Sequence, residues 1–428
     1  MSDIEDKNTK RYSPWMDNWT DNFKNPSKKL RNPQTAKTIK ILLWIGFFAI
    51  LVSPIAIIIV GTLVTNEGIK EYKPTPFTEA DAIRFMDETE AAIHFGEYDK
   101  AIRIAEYVIT ENADIPRIYV LASAASYYLM DYQEAISFAN EALKVNPNFG
   151  AAKYLLAMCL YKIGSKVGEN YADVNIQPNN YPYSYYFGML YKELIGDYDG
   201  MLYFAQQGVV LDDNSPLMLY GLCRALFTNS EYKKSLNTIE VIKDKSDFTK
   251  FATKAIWYCA EILKAEILLN LGEIDDAEKI LSQNYSNYPN WWQLTRVYSK
   301  LFNTKKDYEK TIQLLDKYGH PSETVKQKFD VIEMYQLRSY AELMNGQLLE
   351  AFTDYMNIIK IETGIDEVDD VDNIQELLTP ACHGALLGLA QVEFKRDATD
   401  KARNYMKHID SAYLNLDETK IYNELSKK

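Results

Sequence analysis

The sequence predicts an all-α protein, a solenoid of about nine helix hairpins preceded by one transmembrane helix. Three observations lead to this prediction. Apolar residues recur at helical spacing along residues 77–428, a short turn motif returns at intervals of 34 residues or somewhat more, and residues 41–64 form an unbroken run without a charged side chain. The first two observations indicate stacked helix pairs, and the third indicates a membrane span.

Residues 119–147 contain the clearest helix pair. Apolar side chains at helical spacing predict one helix before the turn that begins at Met130 and another helix after it. Pro147 ends the second helix, because a proline nitrogen cannot continue the helical hydrogen-bond ladder. Small residues such as Ala122 and Ala135 favour a close approach of the two helices.

The turn motif sets the register of the repeat. A turn residue, most often glycine, is followed two places later by a residue that is most often aromatic, and three places after that by one that is most often small. The best-kept copies lie 34 residues apart, and later copies lie about 40 apart. The copies are Gly96/Tyr98/Ala101, Met130/Tyr132/Ala135, Gly196/Tyr198/Met201, Ser230/Tyr232/Ser235, Gly272/Ile274/Ala277, Lys306/Tyr308/Thr311 and Gly346/Leu348/Ala351.

This helix–turn–helix unit closely resembles the tetratricopeptide repeat (TPR). The resemblance covers roughly residues 77–410, with degenerate units around 151–164 and 378–410. It implies a right-handed superhelix whose first helices line a concave groove for a peptide or helix of a partner protein. With 32 tyrosines in the chain, composition alone would also place some in the groove. The residues expected to face the groove are Tyr127, Tyr128, Tyr154, Tyr161, Lys162, Tyr186, Tyr220, Arg224 and Arg296.

Residues 41–64 are the predicted transmembrane helix. A helix of these 24 residues would be about 36 Å long, enough to cross a hydrocarbon core of about 30 Å. A cleaved signal peptide fits less well, because about 40 residues precede the run and no A-x-A-like site follows it. A buried core helix also fits less well, since a helical-repeat array offers no place for so uniformly apolar a helix.

Residues 1–40 form a predicted polar tail that contains one short amphipathic helix. Ser13 and Pro14 make a favourable helix start, and three aromatic residues then fall four apart on one face. Basic residues follow as partners for anionic lipid headgroups. A disordered tail without such a role is the alternative. The residues expected at the membrane interface are Trp15, Trp19, Phe23, Lys28, Lys29 and Arg31.

The charges that flank the span predict its orientation. Six lysines and arginines precede it from residue 24 onward, whereas Lys70 and Lys73 follow it beside Glu67 and Glu71. By the positive-inside rule, the N-terminus lies in the cytoplasm and the repeats lie across the membrane, after a linker at 65–76. In a bacterium, this arrangement predicts an inner-membrane protein with a periplasmic TPR domain.

Charge and motif content argue against other classes of function. Residues 65–428 carry 38 basic and 55 acidic side chains, and this excess of acidic residues argues against nucleic acid as a partner. Zinc-protease, nucleotide-binding and serine-hydrolase motifs are all missing. We therefore expect neither an enzyme nor a cofactor or metal site. The cysteines contain no C-x-x-C pair, and buried thiols are favoured over a disulfide between Cys223 and Cys259.

These features predict a membrane-anchored TPR scaffold that binds partner proteins at the extracytoplasmic face, in the secretion or assembly of envelope proteins. The layout is similar to that of bacterial inner-membrane TPR proteins. An accessory subunit of a machine that makes or exports cell-wall or surface polysaccharide is the alternative. A hydrolase with an unrecognised site is a third hypothesis.

Overall fold

The computed structural model describes residues 77–427, apart from 113, 166–181, 290, 319–327 and 365–378. The predicted tail, membrane span and linker at 1–40, 41–64 and 65–76 therefore lie outside the described residues. Among the helices that are described, none is both long and apolar enough to cross a membrane.

The described residues form 18 α-helices and no β-strand. Eight antiparallel helix pairs follow one another, α5 lies between the second and third pairs, and α18 comes last. The helices are α1 (Glu79–His94), α2 (Tyr98–Glu111), α3 (Pro116–Tyr128), α4 (Tyr132–Val145), α5 (Gly150–Lys162), α6 (Pro182–Leu194), α7 (Tyr198–Leu211), α8 (Pro216–Thr228), α9 (Tyr232–Lys245), α10 (Phe251–Leu271), α11 (Ile274–Asn287), α12 (Trp292–Thr304), α13 (Tyr308–Tyr318), α14 (Lys328–Asn345), α15 (Leu348–Thr363), α16 (Pro380–Lys395), α17 (Thr399–Lys407) and α18 (Leu416–Leu425).

The turns confirm the register that the sequence predicts. In all seven copies of the motif, the turn residue has a positive φ, between 59° and 83°. Met130, Ser230 and Lys306 adopt this left-handed conformation although they are not glycines. In the second pair, the amide of Asp131 donates to the carbonyl of Ser126 at 3.0 Å, as in a Schellman motif. The second helix then begins at the second position of the motif in every copy.

The third position of the motif lies where the two helices of a pair meet. All seven residues at this position are fully buried. The Ser123 hydroxyl donates to the carbonyl oxygen of Ala135 at 2.8 Å, and the Ser235 hydroxyl donates to that of Cys223 at 2.9 Å. Such bonds require the two backbones to approach closely, which confirms the role predicted for small residues. The four cysteines are buried, and none forms a disulfide.

The C-terminal core contains a glutamate without a full set of partners. Glu342 on α14 is 6% exposed, and its Oε2 has no hydrogen-bond partner. Arg338 lies 3.7 Å from Glu342, but it is paired more closely with Asp354, at 2.7 Å. Burial, followed by the charge of Asp354, raises the pKa of Glu342 to about 8. Glu342 is therefore mostly protonated at neutral pH.

We expect Ala135→Leu to destabilise the protein by about 1–3 kcal/mol, because the larger side chain must enter a closely packed helix pair. Ser137→Leu is the matched control: Ser137 lies on the exposed side of the same helix, so its effect should stay within about 0.5 kcal/mol. Urea unfolding followed by circular dichroism measures both changes. Equal effects of the two substitutions would contradict the packing described here.

Glu342→Gln should stabilise the protein at alkaline pH. The folded-state pKa lies above that of the unfolded chain, so the stabilising contribution of protonated Glu342 is present below about pH 4.5 and is lost as pH rises through about 8. At about 1.4 kcal/mol per unit of pKa separation, the wild type loses roughly 4 kcal/mol between pH 5 and pH 9 through this group. Glutamine stays neutral and removes that loss. Denaturation at both pH values tests this, with exposed Glu111→Gln as the control; a similar pH dependence in Glu342→Gln and the wild type would refute it.

Candidate binding chamber

The first hairpin contacts the fifth through a surface between α1 and α10, which we call the seam. Lys250, the N-cap residue of α10, makes no capping hydrogen bond with its side chain. Asp87 of α1 performs the capping instead: its carboxylate accepts from the amides of Phe251, at 2.7 Å, and Ala252, at 3.2 Å. These bonds satisfy amides that have no partner within the helix, and the negative charge interacts favourably with the helix dipole.

Aromatic packing forms the other end of the seam. The ring of Phe95, just after α1, lies 5.1 Å from that of Tyr288 and 5.3 Å from that of Trp291, measured between centroids. Cys259 of α10 donates its thiol hydrogen to the carbonyl oxygen of His94, with the sulfur and oxygen 3.7 Å apart. Contacts at separated points of α1 thus join residues about 165 positions apart in the chain.

The first helices of six hairpins surround a chamber of about 360 Å³. This volume lies near the lower end of the range of about 300–1,000 Å³ found for ligand pockets. Its walls come from α1, α3, α6, α8, α10 and α12, together with Tyr98 at the start of α2. The chamber is lined by Glu90, Ile93, His94, Tyr98, Leu121, Ala124, Tyr128, Tyr183, Tyr186, Phe187, Glu193, Leu217, Tyr220, Arg224, Phe227, Thr228, Cys259, Ile262, Leu263, Glu266, Gln293 and Arg296.

Uncharged polar groups make up part of this lining. Burial raises the pKa of Tyr186 and of Tyr220, so both hydroxyls remain protonated and can donate as well as accept hydrogen bonds. Burial also lowers the pKa of His94, which keeps its imidazole neutral at pH 7. The His94 ring meets the ring of Tyr220 edge to face, with centroids 6.3 Å apart.

Each arginine in the lining is paired with a glutamate. Arg224 Nη2 lies 2.9 Å from Oε1 and 2.7 Å from Oε2 of Glu193. Burial opposes the charge of Arg224, but Glu193 outweighs it and raises the pKa well above its usual range. Arg296 binds both carboxylate oxygens of Glu266, at 3.0 and 2.6 Å. A carboxylate facing a guanidinium in this two-bonded geometry is held strongly.

The Arg296–Glu266 pair belongs to a group of four charges. Lys300 lies 3.0 Å from Glu266 and 3.1 Å from Glu333, and Arg296 lies 3.2 Å from Glu333. Burial alone would raise the pKa of Glu266, but Arg296 and Lys300 lower it to about 2. With two cations and two anions, the group is neutral overall.

A third set of polar contacts joins three separated helices. Arg117 of α3 lies 2.7 Å from Glu90 of α1. The Tyr183 hydroxyl on α6 donates to the same carboxylate and accepts from Arg117. Glu90 is buried, and these contacts give it a positive partner, as a buried charge requires.

The structure brings five of the nine predicted groove residues to the chamber: Tyr128, Tyr186, Tyr220, Arg224 and Arg296. The other four do not line it.

Those four have other surroundings. Tyr154 is 4% exposed and packs against the rings of Tyr191 and Phe204. Tyr127 packs against its neighbours Tyr128 and Tyr132. Tyr161 and Lys162 are exposed at the C-terminal end of α5.

Sequence reasoning missed Glu193 and Glu266 of the chamber and the whole seam. Glu193 and Arg224 are 31 residues apart, close to one repeat length, so opposite charges on successive first helices were an available signal. The seam offered no such signal, since Asp87 and Phe251 meet only through the curvature of the whole array. Among the residues that the structure describes, no group of three or more His, Cys, Asp or Glu side chains could hold a metal ion.

Comparison with known proteins yields one sequence relative of note. No family model matches the chain. A TPR repeat-containing protein of Methanocaldococcus jannaschii is 25% identical over 259 residues, which make up 58% of this chain and 43% of that protein. The chain thus spans less than half the length of this relative.

The comparison with solved structures concerns the fold. The crystal structure of the APC/C hetero-tetramer Cut9–Hcn1 aligns with 76% of this chain and 58% of its own, at 10% identity and a TM-score of 0.53. A tetratricopeptide repeat protein from Parabacteroides merdae aligns with 69% of this chain and 99% of its own, at 13% identity and a TM-score of 0.40. The likeness to Cut9–Hcn1 is one of fold alone. The described part of the chain has a TPR-like, all-α helical-repeat fold.

Proposed function

We propose that this protein is a membrane-anchored scaffold that binds partner proteins through its TPR-like array. The observation that carries the proposal is the convergence of six first helices on one chamber, where Tyr128, Tyr186, Tyr220, Arg224 and Arg296 lie together. Tyrosine and arginine are enriched among residues that dominate binding energy at protein interfaces. We assign the partner-binding role to this chamber.

The anchor and the location belong to the same proposal. The 24 uncharged residues at 41–64 would cross the membrane, and the basic residues before them would hold the N-terminus in the cytoplasm. The repeats would then face the periplasm of a bacterial inner membrane, where a scaffold serves the secretion or assembly of envelope proteins. The acidic character of residues 65–428 favours protein over nucleic acid as the partner.

Photocrosslinking in intact cells tests both the chamber and the topology. A photoreactive residue replaces Tyr220 in the chamber or, as a control, Tyr203, which is 58% exposed on α7 and outside the chamber lining. We expect the Tyr220 probe, but not the Tyr203 probe, to capture a discrete protein of extracytoplasmic location. The reason is that a bound segment in the chamber touches only the first probe.

Other outcomes would count against the proposal in different ways. Capture of a cytoplasmic protein at Tyr220 would show that the repeats lie in the cytoplasm, which contradicts the predicted membrane orientation. Equal capture at Tyr220 and Tyr203 would contradict the assignment of the chamber as the binding site. No capture at Tyr220 would refute the proposed partner-binding function.

A further inference from the structure

Building on the proposed partner binding, we propose that the chamber accepts a short uncharged peptide segment that carries an aromatic side chain. Such a segment comes from a turn or other internal stretch of the partner, because a chain end would bring a charge with it. Three properties of the chamber carry this proposal: the closure by the seam, the pairing of the charges and the aromatic lining.

Closure by the seam limits the length of the occupant. Asp87 caps α10 and Phe95 packs against Tyr288 and Trp291, so the first and fifth hairpins are in contact. A long extended peptide, or a helix lying along successive first helices, could bind only if the contact between α1 and α10 were broken. The volume of about 360 Å³ lies near the lower end of the range of about 300–1,000 Å³ found for ligand pockets. The chamber therefore has room for a short segment only.

Charge pairing disfavours an anionic occupant. Both arginines in the described lining already bind a carboxylate, Arg224 with Glu193 and Arg296 with Glu266. A C-terminal carboxylate or acidic side chain would have to displace one of these glutamates. The displaced glutamate would then be a poorly solvated charge without its partner, which is strongly unfavourable.

A cationic occupant is disfavoured for the same reason. The three glutamates in the lining each contact an arginine already, and two of the three are buried. An incoming lysine would lose its hydration shell without gaining a free carboxylate. An uncharged occupant leaves every pair intact. The three pairs are Glu90–Arg117, Glu193–Arg224 and Glu266–Arg296.

The rest of the lining suits a peptide that carries an aromatic ring. The lining includes the aromatic residues Tyr128, Tyr186, Tyr220, Phe187 and Phe227. Aromatic side chains pack favourably against other rings in offset or edge-to-face geometry. Protonated tyrosine hydroxyls can donate to peptide carbonyls and accept from peptide amides. Together, these groups match the uncharged backbone and ring of one aromatic residue with its neighbours.

Two small probes of nearly equal size test the proposal. N-acetyl-tyrosinamide mimics an internal aromatic residue, whereas N-acetyl-tyrosine carries a carboxylate in place of the amide. Saturation-transfer NMR with the full chain in lipid nanodiscs measures the affinity of each probe. We expect the wild type to bind the amide at least about tenfold more tightly, because the carboxylate competes with Glu193 and Glu266.

Glu193→Gln should shift this preference by at least about tenfold toward the carboxylate, since it leaves Arg224 without its anionic partner. Glu240→Gln is the matched control, because Glu240 pairs with Lys264 at 2.5 Å outside the chamber lining. It should keep the preference of the wild type. The wild-type comparison of the two probes stands even if a variant fails to fold.

Several results would overturn the inference and separate it from the proposed function. Tighter binding of the carboxylate by the wild type, or no binding of either probe, would refute an uncharged aromatic occupant. If the Tyr220 photoprobe still captured a partner in that case, protein binding would stand. If the amide bound as expected but Tyr220 captured no protein, the preference of the chamber for an uncharged aromatic ligand would be supported. The proposed partner-binding function would be refuted.

Discussion

The contact between α1 and α10 determines the shape of the chamber that we propose as the binding site. Asp87 supplies the capping that the N-terminus of α10 lacks, and Phe95 packs among aromatic residues beside α12. Without this seam, the first helices would line an open groove. With it, they surround a chamber in which partly buried or buried glutamates and arginines are held face to face.

Local interactions could be predicted from the sequence because each hairpin repeats the same geometry. The turn residue, the start of the second helix and the small buried residue all follow from one motif. The rule extends to Met130 and Lys306, which take a left-handed conformation without being glycine, because the Schellman-type turn requires that conformation at this position. The end of α1 at His94, beside the chamber, also follows from this register.

The seam depends on where distant helices meet, and the sequence contains no local signal for that. Small rotations between successive hairpins add up over the array, so residues 165 positions apart come into contact. The same curvature separates the predicted groove residues. It brings Tyr186 and Tyr220 to the chamber, while Tyr154 packs between helices and Tyr161 lies on the exterior.

Thiol crosslinking tests the closed array most directly. Cysteines introduced at Asp87 and Phe251 would be treated with a short bifunctional maleimide in the native full-length chain, whose own four cysteines are buried. Closure predicts an efficient intramolecular link between these two positions, and none when the cysteine at Phe251 is moved to exposed Tyr203 on α7. Absence of the Asp87–Phe251 link would contradict the seam and the chamber that depends on it.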